Sequence, residues 1–229
     1  MSLLQNSNAI STGGAYDFTD SLRFRSSASA YLSRTFGTAT DRKKFTFSFW
    51  IKRGKIGSAD QALFHTGSDT ANESFISFGD GTQYDNLNFL QDDSGVSTWN
   101  VKTNRLFRDI SSWYHIVAKV DTTQATASDR IKIYVNGSQE TSLAVANYPA
   151  LNSSPRLNGA TQHNIGGRAN YGSGQIFSDV YITEFNFVDG QALTASDFGE
   201  TDTDTGVWKP KKYTGTYGTN GFYLPMKQT

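Results

Sequence analysis

The chain has 229 residues, 37% hydrophobic and 14% aromatic, and its 21 Lys plus Arg balance 21 Asp plus Glu to a formal net charge of zero. That balance supplies no one-signed field to gather phosphates or anionic lipid, so nucleic acid and membrane surfaces are disfavoured as partners, and no apolar run approaches the roughly 20 residues of a membrane-spanning helix. The absence of Cys excludes disulfides, thiol nucleophiles and thiolate zinc sites, leaving the fold to stand on packing.

In chain order, residues 1–12 (MSLLQNSNAIST) lack the basic start and continuous apolar stretch of an export signal, and residues 1–18 are expected to form an N-terminal arm. Short β-rich runs follow at 21–24, 31–35 and 45–52. In the last of these, Phe45, Phe47, Phe49 and Ile51 alternate with Thr46, Ser48, Trp50 and Lys52, and a period of two places the first four on one core-facing side. Further runs lie at 62–66, 75–78, 87–91, 113–120 and 131–135. Asn136-Gly137 after the alternating IKIYV is a hairpin signal, with the partner strand expected around 139–143. Strands are also expected at 163–166, 180–188 and 221–224.

Turn chemistry separates these runs, at Gly79-Asp80-Gly81, at Asp92-Asp93-Ser94-Gly95, at Gly166-Gly167 and at Asp189-Gly190. Along 180–188 the apolar phase slips from Val180 and Ile182 to Phe185 and Phe187, which a β-bulge near Glu184 would reconcile. Thr194 and Asp197 have the spacing of a capping box, limited to about one turn by Gly199. Residues 201–220 read as a long connection returning the last strand to its sheet. This many short strands imply one all-β, antiparallel jelly-roll β-sandwich over 1–229.

The segments SLRFRSSASAYLSRTFG (21–37), KFTFSFWIKRG (44–54), SSWYHIVAKVDTTQATASDRIKIYVNG (111–137), NIGGR (164–168) and VYITEFNFVDGQALTASDFGE (180–200) resemble the laminin G-like branch of the concanavalin A-like family. With DTGVWKPKKYTGTYGTNGFYL (204–224), the likeness is to such domains in structural proteins of tailed bacteriophages. The resemblance implies a virion protein, made in the host cytoplasm and present in several copies on the particle exterior. As a capsid decoration or tail-attached knob it would contact other virion proteins. The alternative is a carbohydrate-binding tail-fibre module that attaches to host surface glycan.

The glucanase branch of the same superfamily carries its nucleophile and acid/base as Glu-x-Asp-x-Glu on one strand. Here the four Glu, at 73, 140, 184 and 200, never come within four residues of one another, so a non-enzymatic protein is expected. His65, His115 and His163 are widely separated and lack the Gly-x-Ser-x-Gly context of a serine hydrolase. No cofactor is expected beyond calcium, which laminin G-like domains sometimes hold at the sandwich rim. The turn carboxylates Asp80, Asp85, Asp92 and Asp93 are its candidate ligands, or else ordinary turn formers.

Sugar binding calls for ring faces on loops beside amide and guanidinium donors. The loop candidates are Tyr84, Trp99, Tyr148, Tyr171 and Arg168, flanked by Asn86, Asn100, Asn147 and Asn170. The same residues would suit a protein interface. Trp208, Lys209, Lys211, Lys212, Tyr213 and Tyr217 form a basic-aromatic strip, read as a docking or solvated loop.

Overall fold

The computed structural model describes residues 18–169 and 174–227. The strands are β1 (Leu22–Phe24), β2 (Leu32–Thr35), β3 (Lys44–Arg53), β4 (Gln61–Asp69), β5 (Asn72–Phe78) and β6 (Asn86–Asp93). They continue as β7 (Val96–Leu106), β8 (Tyr114–Asp121), β9 (Ile131–Val135), β10 (Ser138–Gln139), β11 (Leu143–Asn147) and β12 (Gln162–Ile165). The chain ends with β13 (Gly167–Arg168), β14 (Ile176–Phe177), β15 (Val180–Asp189), β16 (Gly199–Thr201), β17 (Trp208–Pro210) and β18 (Phe222–Leu224).

Two seven-stranded antiparallel sheets make the sandwich. One runs β1-β15-β3-β8-β9-β10, with β18 also on β15, and the other runs β11-β7-β6-β5-β4-β12-β2. Phe45, Phe47, Phe49 and Ile51 point together into the core. Phe47 meets Phe64 and Phe89 of the facing sheet at ring-centroid distances of 5.5 Å each. Burying an aromatic ring of this size is worth about 2–3 kcal/mol, so this stripe holds the layers together.

The bulge lies where the apolar phase slips. Pairing of β15 with β3 shifts between Thr183 and Asn186, and Glu184 adopts φ 51. The bulge also divides the free edge of β15, with β1 pairing before it and β18 after it. Both Glu184 carboxylate oxygens accept from the Tyr223 hydroxyl, at 2.8 and 2.9 Å, which fastens β18 to the bulge.

Asn136 (φ 48) and Gly137 (φ 83) form the tight turn between β9 and β10. The expected partner run at 139–143 is corrected. β10 ends at Gln139, and the chain then crosses to the second sheet, where β11 pairs with β7. The 11-residue β7 also falls in a stretch with no strand expectation.

The outer face of β3 is buried as well, contrary to simple alternation. A one-turn 3₁₀ helix (Ala195–Asp197), closed by the Thr194/Asp197 capping box, and the β16–β17 hairpin lie over it. Phe198, Trp208, Tyr213 and Tyr217 pack on Val117 and Val188 as a second apolar cluster. The 201–220 connection is thus a roof. A Cβ at Gly137 would collide with the Trp208 ring at 2.5 Å, so only glycine there lets the ring lie flat on the turn.

Candidate functional site

The second sheet carries no such aromatic roof among the described residues. Phe64, Ile76, Phe89 and Val101 point into the core, so their neighbours in sequence point outward. Strand register aligns Asn164, His65, Phe75, Leu90, Asn100 and Asn147 across β12, β4, β5, β6, β7 and β11. A parallel row sets Ser77 beside Asn88 and Asn88 beside Lys102, and a third sets Glu73 opposite Asp92.

The β13–β14 hairpin closes one end. Arg168 Nη1 donates to Glu73 Oε1 at 3.0 Å, and its guanidinium lies 5.8 Å from the Phe75 ring centroid. His65 Nε2 sits 3.3 Å from Glu73 Oε2. Burial lowers the His65 pKa, outweighing the pull of Glu73, so the ring is neutral at pH 7. At the other end, Lys102 Nζ donates to Asp80 Oδ2 at 2.5 Å. Burial alone would raise the Asp80 carboxyl, but hydrogen bonds from Lys102, Gln83 and Thr82 hold it well below the carboxylate range.

Between these ends lies a polar floor that the described residues do not satisfy. Asn88 is fully buried, yet neither its amide nitrogen nor its amide oxygen has a partner. The side-chain oxygens of Asn86 and Asn100 are likewise unpartnered. A buried polar group left this way costs about 1–3 kcal/mol. A hydroxyl-bearing ligand or ordered water is the chemistry that relieves it.

Of the residues singled out from sequence, Asp80, Asp92, Arg168, Asn86, Asn100 and Asn147 lie on this face. Tyr84 borders it, half-buried, with its hydroxyl donating to the Gly81 carbonyl at 3.4 Å. Tyr171 and Asn170 lie outside the described residues.

Two readings are corrected. Trp99 is not in a loop but in β7, 2% exposed, with its ring edge-on to Phe89 at 4.7 Å, so its face is spent on the core. Tyr148 does lie in the loop just past β11, half-buried and packed against that same core. The aromatic residues of the basic-aromatic strip turn inward, while Lys211 and Lys212 stay exposed. Trp208, Tyr213 and Tyr217 are roof residues, and Lys209 pairs with Asp202 at 3.1 Å.

The candidate calcium ligands do not converge. Asp85 accepts from Arg53 and Arg108 at 2.8 Å each, Asp93 accepts from Arg156 Nε at 2.8 Å, and Asp80 is held by Lys102. These three carboxylates are neutralised by neighbouring cations, whereas Asp92 has no ion pair among the described residues. Among the described residues no three His, Asp or Glu side chains are grouped to hold a metal. Glu73, Phe75, Asn88 and Lys102 were missed in sequence, because only cross-strand register makes them neighbours.

Two arrangements that resemble catalytic ones are disarmed by their partners. Trp208 Nε1 donates to His115 Nδ1 at 2.9 Å, and an indole N–H can only donate. Burial lowers the His115 pKa to about 3, so the ring is neutral with its one proton on Nε2, which donates to Ser48 Oγ at 2.8 Å. A base that activates serine needs the opposite arrangement. In the Glu73–Asp92 pair, both Glu73 oxygens are engaged by Arg168 and His65, so Glu73 is not free to attack.

The model of a family described as concanavalin A-like lectin/glucanases matches residues 25–197. No curated protein sequence matches the chain. Among solved structures, a putative carbohydrate binding protein from Bacteroides ovatus is similar at 18% identity with a TM-score of 0.54. The match covers 78% of this chain and 45% of that one, so the chain spans under half of that protein's length. Domains LG4-5 of the mouse laminin alpha1 chain align at 16% identity over 93% of this chain and 50% of theirs, with a TM-score of 0.49. At such identities the likeness is one of fold.

Proposed function

The chain belongs to the concanavalin A-like lectin/glucanase superfamily, in its laminin G-like branch, and from that premise we propose that it is a non-catalytic, lectin-like module that binds glycan on the outer face of its second sheet. The carrying observation is Asn88, an amide buried in that face with no partner for either polar atom. Sugar hydroxyls donate and accept at once, which is what a row of amides asks for. The half-buried Leu90 offers apolar surface beside it for a pyranose C–H face, next to the Phe75 ring buried beneath Arg168. The carbohydrate-binding description of the Bacteroides ovatus protein agrees with this reading.

The test is a glycan array on the folded protein, followed by titration of Asn100→Ala and Lys102→Ala. Both side chains are half-buried on the face, so the variants should keep the wild-type melting temperature to within a few degrees. Each should weaken binding about tenfold, from the loss of about 1.4 kcal/mol of hydrogen bonding. A blank array, or variants that bind like wild type, removes the proposal.

We further propose that the module is displayed on the exterior of a tailed-bacteriophage particle, as a capsid decoration or tail appendage that attaches to host surface glycan. The support is the likeness carried by residues 21–37, 111–137 and 204–224. Mass spectrometry of purified particles should detect the chain in several copies. Its absence from them would eliminate this placement.

A further inference from the structure

The charges around the unpartnered amides are unequal. Facing or bordering the site are the carboxylates of Asp60, Glu73, Asp80 and Asp92, against the cations Lys102 and Arg168 and the neutral His65. Asp60 accepts from the Gly81 backbone at the Asp80 end, and Asp92 stands opposite Glu73 at the Arg168 end. The two cations are already committed, Lys102 to Asp80 at 2.5 Å and Arg168 to Glu73 at 3.0 Å. Among the described residues Asp60 and Asp92 have no cation of their own within ion-pair distance. Burial raises both carboxyls most, with repulsion from Glu73 and Asp93 adding to it at Asp92 and from Asp80 at Asp60, and together these outweigh a hydrogen bond from Ser97 to Asp92, one from the Gly81 N–H to Asp60, and the attraction of Arg168 on both. Both behave as carboxylates short of positive charge.

Resting on the glycan reading above, we propose that this face selects amine-bearing sugars, chiefly hexosamines with a free ammonium, and rejects uronic and sialic acids. The ammonium would sit against Asp92, donating to its carboxylate, while hydroxyls of neighbouring rings along the strand reach toward Asn100 and the Asn88 amide, about 13 Å away. An acidic sugar would instead place a further carboxylate among four, with both cations taken. Like charges in a half-buried groove repel more strongly than in open solvent.

Titration of the intact protein with glucosamine, N-acetylglucosamine and glucuronic acid oligomers of equal length tests this directly. The free-amine oligomer should bind at least fivefold more tightly than the acetylated one, and the uronate more weakly than either. Asp92→Asn should abolish the preference for the free amine over the acetylated oligomer. For the wild type the preference should weaken below the Asp92 pKa as that carboxyl takes up its proton, and this loss should be missing in Asp92→Asn. Equal binding of uronate and amine, or an unchanged preference in Asp92→Asn, overturns the selectivity while leaving glycan binding intact. Failure of all three oligomers, with a blank array, would overturn both.

Discussion

Replacing Asp85 with Ala is expected to cost about 3–5 kcal/mol of stability, the range for stranding one member of a buried ion pair. Arg53 is 1% exposed, its Nη1 donates to Asp85 Oδ1 and to the Phe107 carbonyl at 2.8 Å each, and it lies 4.5 Å from the Phe78 ring centroid. Its Nε has no partner, so the guanidinium depends on that carboxylate for compensation. Asp85 also accepts from the Gly57 N–H at 2.8 Å, tying the turn after β3 to the same point. For a chain of this size the loss should lower the melting temperature by roughly 10 °C. Arg53→Met combined with Asp85→Asn should recover most of it, because the penalty comes from the unpaired charge. Urea unfolding of the two variants decides the matter, and an Asp85→Ala protein within 1 kcal/mol of wild type would refute the argument.

Acid should unfold the protein earlier than its carboxylates alone would dictate. Burial drives both His115 and His163 down to about 3 from an ordinary 6.5. A folded-state pKa below the unfolded one means that the unfolded chain binds more protons between those values. Stability is therefore fully present above pH 6.5 and is lost as the pH falls toward 3. At pH 4.5 each histidine would have withdrawn about 3 kcal/mol, or roughly 5 kcal/mol for the two. The depressed carboxylates, Asp85 among them, act only below about pH 4, so the windows separate. Urea midpoints measured from pH 7.5 to 4.5 should fall steeply, and His163→Gln should flatten the slope by about half. A flat profile across that window would show that the imidazoles are not held neutral.

Strand identity was legible wherever one side chain in two had to be apolar. FTFSFWIK and IKIYV alternate because each has one face in the sandwich core, and both became strands in the expected phase. The slip at Glu184 announced the bulge for the same reason, since a two-residue period cannot change phase without an extra residue. β7 escaped notice because only Trp99 and Val101 mark its inner face strongly, and its other positions are polar or exposed. Reading Trp99 as a loop residue followed from that omission.

By itself the sequence determined the fold class, the core stripe and the hairpin turn, because alternation and turn chemistry act between residues adjacent in the chain. It also showed the missing Glu-x-Asp-x-Glu, a pattern confined to one strand. Only the tertiary structure decided which carboxylates are neutralised, that residues 201–220 cover the first sheet, and that the amides of β6 and β7 share one face with Glu73 and Arg168. Those facts depend on register between strands far apart in sequence, where a shift of one residue would send every side chain to the opposite face.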